Sequence, residues 1–411
     1  NVPRSTFVDC MKALKEDARL ALEGLPWEYG DAAEMQRLSA KYAGADQGKV
    51  TRVFGANFIG RMSGKVVEAF VAKADLLAAS PAYSDQSGVD WKTAAASAAK
   101  VLNHIGGVDG MDPTGWTWYC NVDDIEKLSP TESPAEILWR GERAKSLSLE
   151  EDNFPPTLYG NGRINPTQNL VDAFPMLNGY PVSHLSGEYD ENLPYANRDP
   201  RLEAYILYNG CKAGNTNKEI FTAADGTTND ALNKVVGRST RTGYYLRKLL
   251  RQDISLDPNA KADQYHYTPR IRYTEIFLAY AEAANQAYGP QDKGGNGYSA
   301  YDVVKKLRHR AGIGRDNGDA YLESIKNDQA KMAELIRNER RIELCFEGFR
   351  FWDLRRWKSN LTETAKGMNI SGTRYTPMEV DKRSFSEYMY YGPIPYSEVL
   401  KYDELKQNQG W

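Results

Sequence analysis

The sequence predicts a mostly α-helical fold, a scaffold of helical hairpins with a large irregular, loop-rich subdomain packed on it, and three observations carry that prediction. Residues 336–357 place apolar side chains at helical spacing, from Met332, Leu335 and Ile336 upstream through Ile342, Cys345, Phe346, Phe349 and Trp352, with Arg and Glu between them. That is the pattern of an amphipathic helix facing a large core. Two Ala-rich stretches, 66–79 and 91–102, read as a closely packed helix pair. From His104 to about Tyr265 the helical period vanishes into short apolar runs separated by Gly, Pro, Asn and Asp.

Composition bounds the class. The chain has 411 residues, enough for two or three domains or for one large helical unit. Its 41% hydrophobic and 26% charged content is that of a globular chain. A formal net charge of -3 offers no broad basic field, so nucleic acid is excluded as a partner. The 26 Tyr and 8 Trp are the notable excess, because rings with an apolar face and a polar edge suit stacking on sugars or holding peptides. Cys10, Cys120, Cys211 and Cys345 show no CxxC or zinc spacing. No metal framework is expected; Cys345 reads as a buried thiol, and pairing among the other three stays open. No run of 18 apolar residues occurs.

Residues 8–25 form the first predicted helix, ended by Gly24 and Pro26, with Trp27 and Tyr29 in the loop beyond. Gly55-x4-Gly60 lacks the Lys-Ser/Thr pair of a phosphate loop, so its glycines serve a turn. Helix 66–79 stops at Ser80-Pro81, and Trp91 opens its partner. The small residues Ala69, Ala72, Ala78 and 94–99 permit the close approach that a tetratricopeptide-type hairpin requires. Residues 135–140 read as a short strand. Trp116 and Trp118, at alternate positions, suggest one core-facing side of another.

Helices return at 272–283 and 300–310, joined by a Gly-rich loop, the second closed by Ala311-Gly312. In the central stretch Gly348 predicts a bend or break near Phe349, with the rings of 349–357 assigned to the core. Residues 360–382 read as polar and turn-rich. Tyr390-Tyr391-Gly392-Pro393-Ile394-Pro395 is non-helical, and a short helix follows at 397–402.

Glu339, Glu343 and Glu347 share one helical face, but no His lies at i+3 and Arg337, Arg340, Arg341, Arg350, Arg355 and Arg356 are close in sequence. Ion pairing is expected rather than a metal. Without HExxH or GxSxG, and with His104, His184, His266 and His309 at no metal-like spacing, no enzyme is expected.

The runs Asn338-Glu339-Arg340-Arg341-Ile342-Glu343-Leu344 and Phe346-Glu347-Gly348-Phe349-Arg350-Phe351-Trp352-Asp353-Leu354-Arg355-Arg356-Trp357 closely resemble the signature of SusD-like (RagB/SusD) nutrient-binding lipoproteins. Further segments resemble the same family in the same order. They are Gly60-Arg61 leading into the Ala-rich pair, Asn165-Pro166-Thr167-Gln168-Asn169-Leu170-Val171-Asp172-Ala173-Phe174, Arg198-Asp199-Pro200-Arg201-Leu202, 241–248, 272–283 and the closing 405–411. Gln409 and Trp411 stand where the family usually has Pro and Tyr.

The resemblance implies one SusD-like domain over 1–411, complete at its C-terminus and lacking its start, with the scaffold mainly in 3–104 and 266–357. The irregular ligand face would be about 105–265 and 358–411. It implies an oligosaccharide-binding protein on the outer face of the outer membrane of Bacteroidota, held by an N-terminal lipid anchor not present in this chain, Cys10 not being that anchor. Such a protein caps a SusC-type TonB-dependent barrel and needs no cofactor. A peptide ligand, or a scaffold or lid without a ligand, are the alternatives. Rings in irregular segments on a rigid frame are the candidate ligand contacts: Tyr180, His184, Tyr189 and Tyr195, with Trp27 and Tyr29 as a second group.

Overall fold

The computed structural model describes residues 4–42, 44, 46–128, 132–401 and 403–411. Helices stack in sequence. Phe7–Gly24 lies on Gly64–Ala79, which lies on Trp91–Asn103, and the latter packs on Tyr273–Tyr288. Ala69, Ala72, Ala94, Ala95, Ala98 and Ala99 are buried at these contacts, so the small side chains bring the backbones together as predicted. The Tyr273–Tyr288 helix is buried along nearly its whole length and continues the stack to Ala300–Arg310 and Gln329–Glu343. Asp90 and Ser299 cap two of these helices, Ser299 in a full capping box with Asp302. Two helices, Ala32–Lys41 and Gln47–Phe54, occupy the stretch after Tyr29.

The central stretch breaks where glycine allows it. Gln329–Glu343 ends at Leu344, the chain turns through Phe346 (φ 64°) and Gly348 (φ 85°), and Phe349–Arg356 begins a second helix. The core assignment of its rings needs correction. Trp357 is buried, but Phe351 and Trp352 are 53% and 61% exposed. The second helix instead turns Asp353 and Arg356 inward. Asp353 accepts from Arg340 Nε at 2.7 Å, and Arg356 meets Glu282 at 2.5 and 2.6 Å. Satisfying buried charges fixes the rotation of this short helix, and the rings are left outside.

Glu339, Glu343 and Glu347 are ion-paired, though not to the local arginines. Arg201 reaches Glu339 at 2.8 Å and Glu343 at 3.0 Å, Arg308 reaches Glu339 at 2.8 Å, and Arg310 reaches Glu343 at 3.2 Å. Glu347 takes Arg272 at 2.8 Å and Lys248 at 2.7 Å. The acidic face points into the core, where only residues from other segments can meet it.

The irregular part packs on this frame through short pairings. Residues 137–146 run antiparallel to 264–272 as a two-stranded ribbon, pairing Trp139 with Ile271, Arg140 with Pro269 and Lys145 with Tyr265. The strand predicted at 135–140 is thus present. Trp118 is buried as expected, but Gly115–Thr117 is a 3-10 turn rather than strand, closed by Thr117 N donating to Thr114 O at 2.9 Å and Cys120 N to Thr117 O at 3.0 Å. Residues 360–382 contain a hairpin, Ala365–Ser371 with Arg374–Asp381, where only turns were expected. Its loop is Gly372-Thr373, with Gly372 at φ 58°. The four cysteines are unpaired, and burial pushes the Cys345 thiol up to about 11.

Candidate functional site

The sequence candidates fall in separate places. Tyr180 and His184 meet, with ring centroids 4.7 Å apart, and Tyr321 completes the cluster at 5.7 and 6.2 Å. His184 is exposed, its Nδ1 accepting from Ser186 N at 3.1 Å, and Leu185 beside it is 98% exposed. Tyr189 lies half-buried beneath the Arg198 guanidinium at 5.6 Å. Tyr195 packs inward: it stacks on Tyr208 at 4.2 Å, meets the Tyr244 hydroxyl at 3.1 Å, and burial raises its phenol. Trp27 stacks on His104 at 3.6 Å and lines a shallow hollow with Asp31, Glu34 and Arg37. Tyr29, read as exposed from its loop position, is buried against the 58–62 loop, its hydroxyl donating to Met62 O at 3.1 Å and its ring meeting Phe58 at 6.5 Å.

A ring-lined hollow lies beside the ribbon. It encloses about 600 Å³, and Trp118, Tyr119, Tyr267, Phe346 and Phe349 form its ring-rich lining. Tyr267 comes from the two-residue link between the strands Gln264–His266 and Pro269–Arg272, and the whole run 266–272 borders the hollow. Phe346 and Phe349 come from the break in the central stretch, so the same turn that interrupts the helix also shapes the hollow. Polar groups are interspersed: Glu142, Ser146, Ser148, His266, Arg270 and Glu347. Trp118 Nε1–H, buried, has no hydrogen-bond partner among the described residues.

Electrostatics around the hollow is held by ion pairs. Burial raises the Glu275 carboxyl against the opposing pull of Lys73, 2.8 Å away. Burial acts the same way on Glu347, but Arg272 and Lys248 overcome it and hold that carboxylate below its ordinary range. Such an arrangement offers ring surfaces, fixed charges and hydrogen-bond groups in one concavity, suited to a polar ligand with apolar faces. None of the six sequence candidates lines it. The signal that could have found it is the run Tyr265-His266-Tyr267 beside Pro269-Arg270, a ring-bearing stretch whose two strands pair with 144–146 and 137–140.

A stack of tetratricopeptide-like hairpins bearing a loop-rich face defines the class. The chain belongs to the SusD family, whose model matches residues 139–411. SusD-like protein P38 of Formosa agariphila is 33% identical over 85 residues, covering 20% of this chain and 16% of that protein. SusD-like protein P2 of the same organism is 32% identical over 152 residues, covering 36% of this chain and 26% of that one. The matches thus span well under half of either relative. A crystal structure of a SusD-like protein from Bacteroides fragilis covers 100% of this chain with TM-score 0.70 and 25% identity, the match taking in 72% of that chain. A SusD-like carbohydrate binding protein from Bacteroides fragilis has TM-score 0.66 over 99% of this chain and 72% of its own, and at 22% identity it shares the fold.

Proposed function

We propose that the protein captures an oligosaccharide in the hollow beside the ribbon and passes it to a SusC-type TonB-dependent barrel at the outer membrane, acting by binding rather than catalysis. The observation that carries this reading is the ring-lined hollow of about 600 Å³ on a SusD-family scaffold. Sugars present C–H faces that rest on rings and hydroxyls that bond to groups such as Ser146, Glu142 and Arg270. In this reading Tyr180 and His184 form an outlying ring pair that a longer chain of sugars reaches, and Trp27 with Tyr29 belongs to the scaffold edge.

Titration calorimetry with a panel of soluble oligosaccharides tests it, using wild type, Ala144→Trp, and a Tyr180→Ala, His184→Ala double variant. Ala144 is exposed and lines the hollow, so a tryptophan there fills space without removing core. Loss of binding in Ala144→Trp alone supports the hollow. Loss only in the double variant moves the site to the Tyr180 cluster, and binding of peptides in place of sugars replaces the ligand class.

A further inference from the structure

A second hollow lies along the same ribbon and meets the first at Glu142 and Arg270, which line both. It encloses about 760 Å³, and its charge runs against that of the chain. Arg61, Arg140, Arg143 and Arg270 line it, with Glu142 as the one carboxylate among its described lining residues. The whole chain carries a formal net charge of -3, so this is a local concentration of positive charge.

Three of these guanidiniums rest on rings. Arg61 lies 4.3 Å from the Phe58 centroid, Arg143 4.0 Å from Tyr265, and Arg270 4.5 Å from Trp139. Among the described residues none of the three is ion-paired to a carboxylate. Arg143 bonds the carbonyls of Ile125 and Glu126 at 2.9 and 2.8 Å, whereas Arg61 and Arg270 are exposed. Stacking restrains the plane of a guanidinium while its N–H edge can still accept a bidentate anion.

The frame beneath is tied. Trp139 Nε1 donates to Gly60 O at 2.7 Å, and Gly141 N donates to Thr268 O at 2.8 Å, so the loop carrying Arg61 is fastened to the ribbon carrying Arg270. Tyr29 supports this same loop through its bond to Met62 and its contact with Phe58, whose ring centroid lies 6.5 Å away.

We infer that this hollow selects acidic sugars: the oligosaccharide held by the protein carries carboxylate or sulfate groups, received by Arg61, Arg143 and Arg270 while neighbouring sugar units occupy the ring-lined hollow. The inference rests on the carbohydrate-capture reading. Carboxylate and sulfate share the chemistry of paired oxygens facing a planar fork, and experiment separates them.

The test is calorimetric titration of the chain at low salt with size-matched neutral malto-oligosaccharides, oligogalacturonates and sulfated carrageenan oligosaccharides, with poly-glutamate as a non-sugar polyanion. It is repeated on Ala144→Trp and on an Arg61→Gln, Arg270→Gln double variant, whose folding is checked by thermal melting. One acidic set is expected to bind about tenfold or more tighter than the neutral set, and which set does so distinguishes uronate from sulfate. In the double arginine variant that preference falls to near parity, and added salt weakens wild-type binding to the acidic set alone. Equal binding of neutral sugars, or a preference that survives loss of both arginines, overturns the inference and leaves capture intact. Poly-glutamate bound more tightly than any sugar, or no sugar bound in any arm, overturns the capture reading itself and the inference with it.

Discussion

Arg272 Nε donates to Glu347 Oε2 at 2.8 Å, joining the ribbon to the break in the central stretch at the margin of the ring-lined hollow. Arg272 thus ties the ribbon to the turn that carries Phe346 and Phe349, two of the segments that line the hollow.

Glu343→Ala removes the carboxylate shared by Arg201 and Arg310 and leaves both cations buried without it. Breaking one side of a buried ionic network costs about 3–5 kcal/mol. Urea denaturation of the variant should show a loss of that size, and a loss below about 1 kcal/mol contradicts the role given to this network.

Acid should destabilise the fold. Burial alone would raise Glu343, but Arg310, Arg201 and Arg272 bring it down to about 2 from its ordinary 4.5, and Glu339, Glu347 and Asp353 are held low for the same reason. A carboxylate with a lowered native value contributes stability above its unfolded value and loses it as pH falls through the native one. Asp199 and Glu275 are raised by burial and act in the opposite sense, partly offsetting the effect. Thermal melts between pH 7 and pH 2 should show the decline concentrated between about pH 4.5 and 2; a melting temperature constant across that window contradicts it.

The two halves of the ring-rich helix should respond differently to substitution. Trp352→Ser changes an exposed residue and should alter stability by no more than about 0.5 kcal/mol. Trp357→Ala removes a buried ring whose Nε1 donates to Glu282 at 2.7 Å, with an expected loss of about 3–5 kcal/mol. Comparable losses in the two variants would restore the view that all these rings are core.

Gly243→Ala should be strongly destabilising. Gly243 has φ 84°, and a Cβ there would lie 2.4 Å from Met368 O in the Ala365–Ser371 strand. Either the hairpin shifts or the 241–248 segment does, so circular dichroism melts should fall by several degrees; an unchanged melt would show that the backbones separate freely.

The scaffold was legible because its signals are local. Ala69 to Ala99 show close helix approach, Pro81 and Gly312 mark helix ends, and Gly348 marks the break. The motif resemblance placed the family. What could not be read depends on the third dimension: the partners of Glu339 and Glu343 come from residues far along the chain, and the outward turn of Phe351 and Trp352 follows from Asp353 and Arg356 pairing inward. The hairpin was missed because Gly372-Thr373 sits among polar residues that mask its buried positions, Gly367, Met368 and Ile370. The candidate site is the least legible part, since Trp118, Tyr267 and Phe349 lie far apart in the sequence and meet only where a ribbon, a turn and a helix break converge.

Arg201 is 138 residues from Glu339 and 142 from Glu343 along the chain. During synthesis its guanidinium leaves the ribosome on the order of ten seconds before those two carboxylates do, at ordinary rates of elongation. The middle of the protein is thus made early and locked late. A nascent chain cut short before the Gln329–Glu343 helix would hold Arg201, Arg308 and Arg310 with only Asp199, Asp319 and Glu136 to receive them, so the buried ionic network closes only when that helix has been made.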